Sequence, residues 1–171
     1  MKYRLSACLL FILLLISGCD MTASDKNQSS AVRAESRVAT GEQEIAALFD
    51  RWNKSLQSGD PRKVVANYAR QSILLPTISD KPRLTPAEKI DYFQHFLENR
   101  PSGEITMRQI YVGRDMAVDS GLYTFHFART GDKVGARYTF TYRRDGKQWL
   151  IISHHSSLMP GHNTQKAASE Q

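Results

Sequence analysis

The groups from which chemistry could be built gather towards the C-terminal end of the chain. Arg137 stands in Ala136-Arg137-Tyr138-Thr139-Phe140-Thr141-Tyr142, and His154-His155-Ser156-Ser157 follows the apolar Trp149-Leu150-Ile151-Ile152. A guanidinium presents a planar fork of donors that matches a carboxylate or a phosphate. Directed into an enclosed pocket it must hold an anion or find an internal partner. The internal partners on offer are Asp119 and Asp91, and the remaining choice is solvent on the outer side of a strand. Asp119 is the second candidate, since carboxylates are depleted in strands and a buried one with a raised pKa acts as a general base. The competing reading puts it at an edge or bulge, facing water. Serine beside histidine in sequence is no nucleophile pair, because the base must meet the hydroxyl in space and no elbow motif is present. Adjacent histidines on a strand face opposite ways and cannot chelate together. No His-x-x-x-His or cysteine spacing completes a site around His95 or His126, so neither a metal nor an organic cofactor is expected.

These side chains need a rigid frame, and hydrophobic periodicity supplies it. Residues 42–58 place Ile45, Leu48, Phe49, Trp52 and Leu56 at helical spacing, and Gly59 ends that helix. Asp60-Pro61 then provides an N-cap and a first-turn proline for a short helix over 62–68. Residues 72–75 read as a short strand. Thr85-Pro86-Ala87-Glu88 is a capping box that opens a helix through Ile90, Phe93, Phe96 and Leu97 to Asn99. Beyond Pro101 the period becomes two, and strands are predicted over 104–112, 116–127, 134–143 and 148–158. Gly113-Arg114-Asp115, Thr130-Gly131-Asp132 and Asp145-Gly146 separate them as hairpin turns. Helices followed by a meander imply an α+β domain, three N-terminal helices packed on one face of a curved antiparallel sheet. Alternation puts Arg137, Thr139 and Thr141 on one face of the third long strand, and Leu150, Ile152, His154 and Ser156 on one face of the last. One of His154 and His155 therefore enters a pocket at most. Hydrogen bonds to Ser153, Ser156 or Ser157 would satisfy a purely structural histidine. Tyr68, Tyr92, Phe93 and Phe96, at helical spacing, are core residues first and ligand contacts second.

The N-terminal residues give an address. Lys2 and Arg4 precede an apolar run over 7–16, then Ser17 and Gly18. That run is shorter than the roughly 20 residues needed to cross a bilayer, and the pattern is that of an export signal over residues 1–18. Ile16-Ser17-Gly18-Cys19 resembles the bacterial lipobox, which implies cleavage before Cys19 and lipidation of its thiol. Cys8 leaves with the signal and Cys19 is capped, so no disulfide framework is expected. Acyl chains contributing about 0.8 kcal/mol per buried methylene would make the anchor permanent. Asp20 resembles an inner-membrane retention signal. Periplasm-facing or cell-surface placement follows. Residues 19–40 read as a lipidated cysteine and flexible tether, 41–160 as one domain and 161–171 as a disordered tail. Loss of Lys2 and Arg4 lowers the formal charge from +6 to +4, and the remaining cations are scattered among acids. No basic stripe for nucleic acid is present.

The order of elements, with Gly59-Asp60-Pro61 after the first helix, resembles the cone-shaped nuclear-transport-factor-2-like or cystatin-like fold. Several segments are similar to the association domain of calcium/calmodulin-dependent protein kinase II and its free-standing, SnoaL-like bacterial relatives. These are residues 52–68, Leu74-Leu75-Pro76-Thr77, Ile90-Asp91-Tyr92-Phe93-Gln94-His95-Phe96, Ala136-Arg137-Tyr138-Thr139-Phe140 and His154-His155-Ser156-Ser157. The resemblance spans about 41–160. It implies a deep pocket between concave sheet and helices, and dimers or larger rings formed through the sheets. The positions that match the family's pocket arginines hold Tyr123, Thr139 and Ser156 here, a departure that leaves Arg137 as the expected cation. Arg137, His154, Ser156, Tyr123, Thr139 and Tyr92 are thus the expected ligand contacts, and Asp119 and His154 the catalytic candidates. The functions implied are a membrane-anchored, homo-oligomeric module for a small, partly anionic molecule, a cofactor-free isomerase, cyclase or dehydratase, or a purely structural assembly domain.

Overall fold

Ile45, Leu48, Phe49, Trp52 and Leu56 are all buried, and they line one side of helix α1 (Thr22–Leu56) in the computed structural model, which describes residues 22–160. The expected signal peptide, Cys19 and the tail over 161–171 lie outside the described residues. The chain divides into two units, one ending at Glu35 and one beginning at Ser36. In the first, the described residues are the leading part of α1. Residues 22–40, expected within a flexible tether, belong to this helix, and Ala23, Ala31 and Ala34, with Lys26, Gln28, Arg33 and Glu35, have good intrinsic helix propensity.

In the second unit Gly59 ends α1's trailing turn at a φ of 68°. Asp60 accepts from the Arg62 N–H at 2.9 Å and, with Pro61 behind it, starts α2 (Pro61–Val65). This helix is shorter than its predicted 62–68. The buried Asn67 amide donates to the Lys63 and Val64 carbonyls at 3.1 and 3.0 Å, closing the helix and freeing the chain to enter β1 (Tyr68–Leu75). The capping box is formed: Thr85 accepts from the Glu88 N–H, the Glu88 carboxylate accepts from the Thr85 N–H, and α3 (Pro86–Leu97) follows. Four long strands follow among the described residues, β2 (Pro101–Val112), β3 (Met116–Phe127), β4 (Lys133–Asp145) and β5 (Gln148–Leu158).

The sheet order is β1-β5-β4-β3-β2. The meander is antiparallel, as expected, and β1 adds a parallel strand against β5. The register of β4 on β5 shifts between Thr141 and Tyr142, which leaves Ile152 as an extra residue. That bulge carries Trp149 and Ile151 onto the face of His154 and Ser156. It breaks the expected alignment of Leu150 and Ile152 with them. The inner face packs on α1 and α3 through aromatic rings, Trp52 lying 5.3 Å from Phe140, 6.2 Å from Phe125 and 6.4 Å from Phe93. Each such pair contributes about 0.5–1.5 kcal/mol beyond its area burial.

Candidate ligand-binding site

A cavity of about 500 Å³ remains between the inner face of the sheet, α3 and the loop over 76–85. Its walls are apolar: Trp52, Tyr92, Phe93, Phe96, Phe125 and Phe127 all line it. Tyr92 and Phe96 stack at 5.8 Å, as do Phe125 and Phe127 at 6.0 Å, and these flat faces suit a planar guest. The small Ala136 sits beside Tyr123 across the β3/β4 ladder and leaves room above the sheet.

The buried end is polar. Tyr123 donates from its hydroxyl to Ser156 Oγ at 2.5 Å, and Ser156 Oγ lies 2.5 Å from Thr77 Oγ1. Burial pushes the Tyr123 phenol upward, so it stays protonated. His154 lies beside this chain, 4% exposed, stacked on Phe140 at 4.0 Å with the Trp52 ring edge-on at 5.3 Å. Its Nδ1 is 2.8 Å from the Tyr68 hydroxyl. Burial holds the Tyr68 phenol protonated as well, and the tautomer of His154 decides which of the two groups donates. Burial, with the neighbouring His155 adding to it, drives the His154 imidazole down to about 3, and the ring is neutral at physiological pH.

The exposed rim carries charge. Arg83, from the loop, has its guanidinium 5.8 Å from the Tyr92 ring centroid and its Nη1 3.7 Å from Asp91 Oδ2, while its Nε has no hydrogen-bond partner. Two backbone hydrogen bonds with Leu74, at 3.0 and 2.9 Å, fix it there. Lys89 holds the same loop. It is 1% exposed and its Nζ donates to the Ser72 and Leu84 carbonyls at 2.8 and 2.9 Å. Burial lifts Tyr92 to about 12, against the opposing charge of Arg83.

Tyr92, Tyr123, His154 and Ser156 thus meet around one cavity, and two other expected contacts do not. Arg137 is exposed on the opposite face, pairs with Ser157 in the ladder, and donates from Nη2 to the Leu158 carbonyl at 3.1 Å. Thr139 pairs with His155 on that same outer face. The correction is one of register: Tyr138 opposes Ser156 and Phe140 opposes His154, so β4 turns its aromatic residues inward. Asp119 is fully buried and lies away from the cavity lining, on neither an edge nor a solvent-facing bulge. It accepts from the Tyr138 hydroxyl at 2.8 Å and from Arg108 Nε at 3.2 Å. Desolvation raises its pKa while Tyr138 and Arg108 hold it down. The residues sequence reasoning missed are Thr77, in the quoted Leu74-Leu75-Pro76-Thr77, and Arg83. The Pro82-Arg83-Leu84 run just before the Thr85 cap was the available signal for Arg83, although a loop has no periodicity from which to read a direction.

Comparison with known proteins places these observations. A profile of the calcium/calmodulin dependent protein kinase II association domain matches residues 41–160. A protein from Xanthomonas campestris described as such an association domain is 45% identical; the alignment covers 69% of this chain and 87% of that one, with a TM-score of 0.67. An NTF2-like protein with a cystatin-like fold from Novosphingobium aromaticivorans is 16% identical over 81% of this chain and 94% of its own, with a TM-score of 0.62. An NTF2-like protein from Pseudomonas putida is 21% identical over 74% of this chain and 92% of its own, with a TM-score of 0.64. The last two establish likeness of fold. No curated protein matches the sequence significantly.

Proposed function

Because the chain belongs to the calcium/calmodulin dependent protein kinase II association domain family, we propose that it is a lipid-anchored, self-associating module that holds a small molecule inside its cone. The observation that carries the ligand reading is the cavity itself, about 500 Å³ with aromatic walls, a hydroxyl-lined inner end and Arg83 at the rim. Arg83 takes the part expected of Arg137, so a partly anionic guest places its charge at the rim. Isomerase chemistry through Asp119 is not part of this proposal, since that carboxylate is engaged by Tyr138 and Arg108 away from the cavity lining.

A thermal-shift screen of small aromatic ketones and carboxylates tests the cavity. Hits should raise the melting temperature of the wild type and fail with Val134→Phe, which fills the lining. A screen without hits would remove the ligand reading and leave assembly. The proposed anchor is Cys19, on the lipobox-like Ile16-Ser17-Gly18-Cys19. Export and attachment to a bacterial membrane, facing the periplasm or the exterior, predict that Cys19→Ser moves the protein from the membrane fraction to the soluble fraction. Unchanged fractionation would refute the lipid anchor.

A further inference from the structure

Thr77, Tyr123 and Ser156 contribute three hydroxyl protons to a chain with two links. Tyr123 spends its proton on Ser156. Either Ser156 donates to Thr77 or Thr77 donates to Ser156, and in both cases one O–H is left over. Both of those residues line the cavity, so the spare donor opens onto it whichever way the link runs. Among the described residues no cation stands at this end: His154 is buried against Phe140 and Trp52, and the guanidinium of Arg83 lies at the rim beside Asp91. His154 also lines the cavity, its Nε2 has no hydrogen-bond partner, and an ionised carboxylate brought here would exchange its hydration for neutral hydrogen bonds alone. A carbonyl oxygen gives up far less.

We propose that the inner end of the cavity selects a neutral carbonyl oxygen, of a ketone, aldehyde, ester or amide, carried on a planar apolar body that lies between Phe93, Phe96 and Phe125, with any negative charge directed outward to Arg83. The inference rests on the cavity being a binding site and adds which end of the guest enters first. It also accounts for the serine, threonine and tyrosine at the inner end: a hydroxyl chain recognises an acceptor without demanding a charge.

Isothermal titration of the full-length chain with 2-acetylnaphthalene, 2-ethylnaphthalene and 2-naphthoate separates the alternatives. The ketone should bind about fivefold to tenfold tighter than the hydrocarbon of the same shape, the equivalent of one neutral hydrogen bond. That preference should vanish in Ser156→Ala and in Thr77→Val, the second at a partly exposed position less critical to folding. The carbonyl stretch of the bound ketone should fall in frequency in the wild type and not in the variants. Equal affinity for ketone and hydrocarbon would overturn the carbonyl assignment while leaving the cavity as a binding site. Tightest binding of naphthoate, retained in Arg83→Ala, would overturn it by placing the anion at the inner end. Binding of none of the three would remove the cavity reading and this inference together.

Discussion

His154 is an imidazole that burial keeps neutral, and that has a consequence for acid stability. In the unfolded chain its pKa returns to the ordinary value near 6.5, whereas in the fold it is about 3. Between these values the unfolded state holds a proton that the native state does not, so the contribution is fully present above pH 6.5 and is lost as pH falls towards 3. The slope for one fully shifted group is about 1.4 kcal/mol per pH unit. Asp119, raised by burial, works in the opposite sense as it takes up its own proton. Asp119 is common to the wild type and to a variant lacking only the imidazole, so the difference between the two from pH 6.5 to pH 5 reports on the histidine. Urea unfolding across that range should show the wild type losing up to about 2 kcal/mol. His154→Phe, which keeps a ring against Phe140, should lose less. Parallel curves for the two proteins would mean that the imidazole protonates in the fold.

At the scale of elements, the β2/β3 pair depends on an absent side chain. The ladder shifts register between Ile105 and Met107, and Gly121 pairs with Arg108 just past the bulge. A methyl group built on Gly121 would run into the Met107 carbonyl oxygen, a backbone atom that cannot swing aside. Gly121→Ala should cost about 2–3 kcal/mol in urea unfolding by forcing the strands apart. A cost below about 0.5 kcal/mol, the scatter of surface substitutions, would show that the bulge relaxes freely. Bulges also mark where reading from sequence ends. The caps at Asp60 and Thr85 and the alternation after Pro101 are local signals, and helices and strands formed where those signals lay. Which face of β4 turns inward is decided by its partner. The extra residue at Ile152 moves parity between Trp149 and His154, and no local pattern announces it. Arg137 was placed inward because it shares a strand face with Thr139, which the resemblance set at a pocket position. Tyr123 and Ser156 were legible through the resemblance, which also set Thr139 in the pocket although it lies on the outer face, and Asp119 was legible as a strand carboxylate that needed a reason, which Arg108 and Tyr138 supply.

Across the molecule as a whole, the two faces of the sheet have different neighbours. The inner face is covered by α1 and α3, whereas on the outer face Met107 and Tyr111 are 52% and 65% exposed and Met116 at the start of β3 is 48% exposed. The ladder sets Met107 beside Leu122 and Tyr111 beside Val118, with Thr139, Thr141 and His155 continuing across β4 and β5. Exposed Met and Tyr side chains interspersed with Gln109 and Ser120 make a mixed face of the kind that protein partners cover. A stable dimer buries about 800 Å² on each partner. We therefore expect the chain from Asp20 onward to be a dimer or larger by light scattering. Tyr111→Arg combined with Leu122→Arg should reduce the mass towards one chain, since two buried cations on each partner would face their copies without counter-charge. Ligand affinity should survive the double substitution, because the cavity opens on the other side of the sheet. A wild type that scatters as a monomer would refute assembly through this face. Loss of ligand binding together with the mass would show instead that the cavity takes its shape only in the assembled protein.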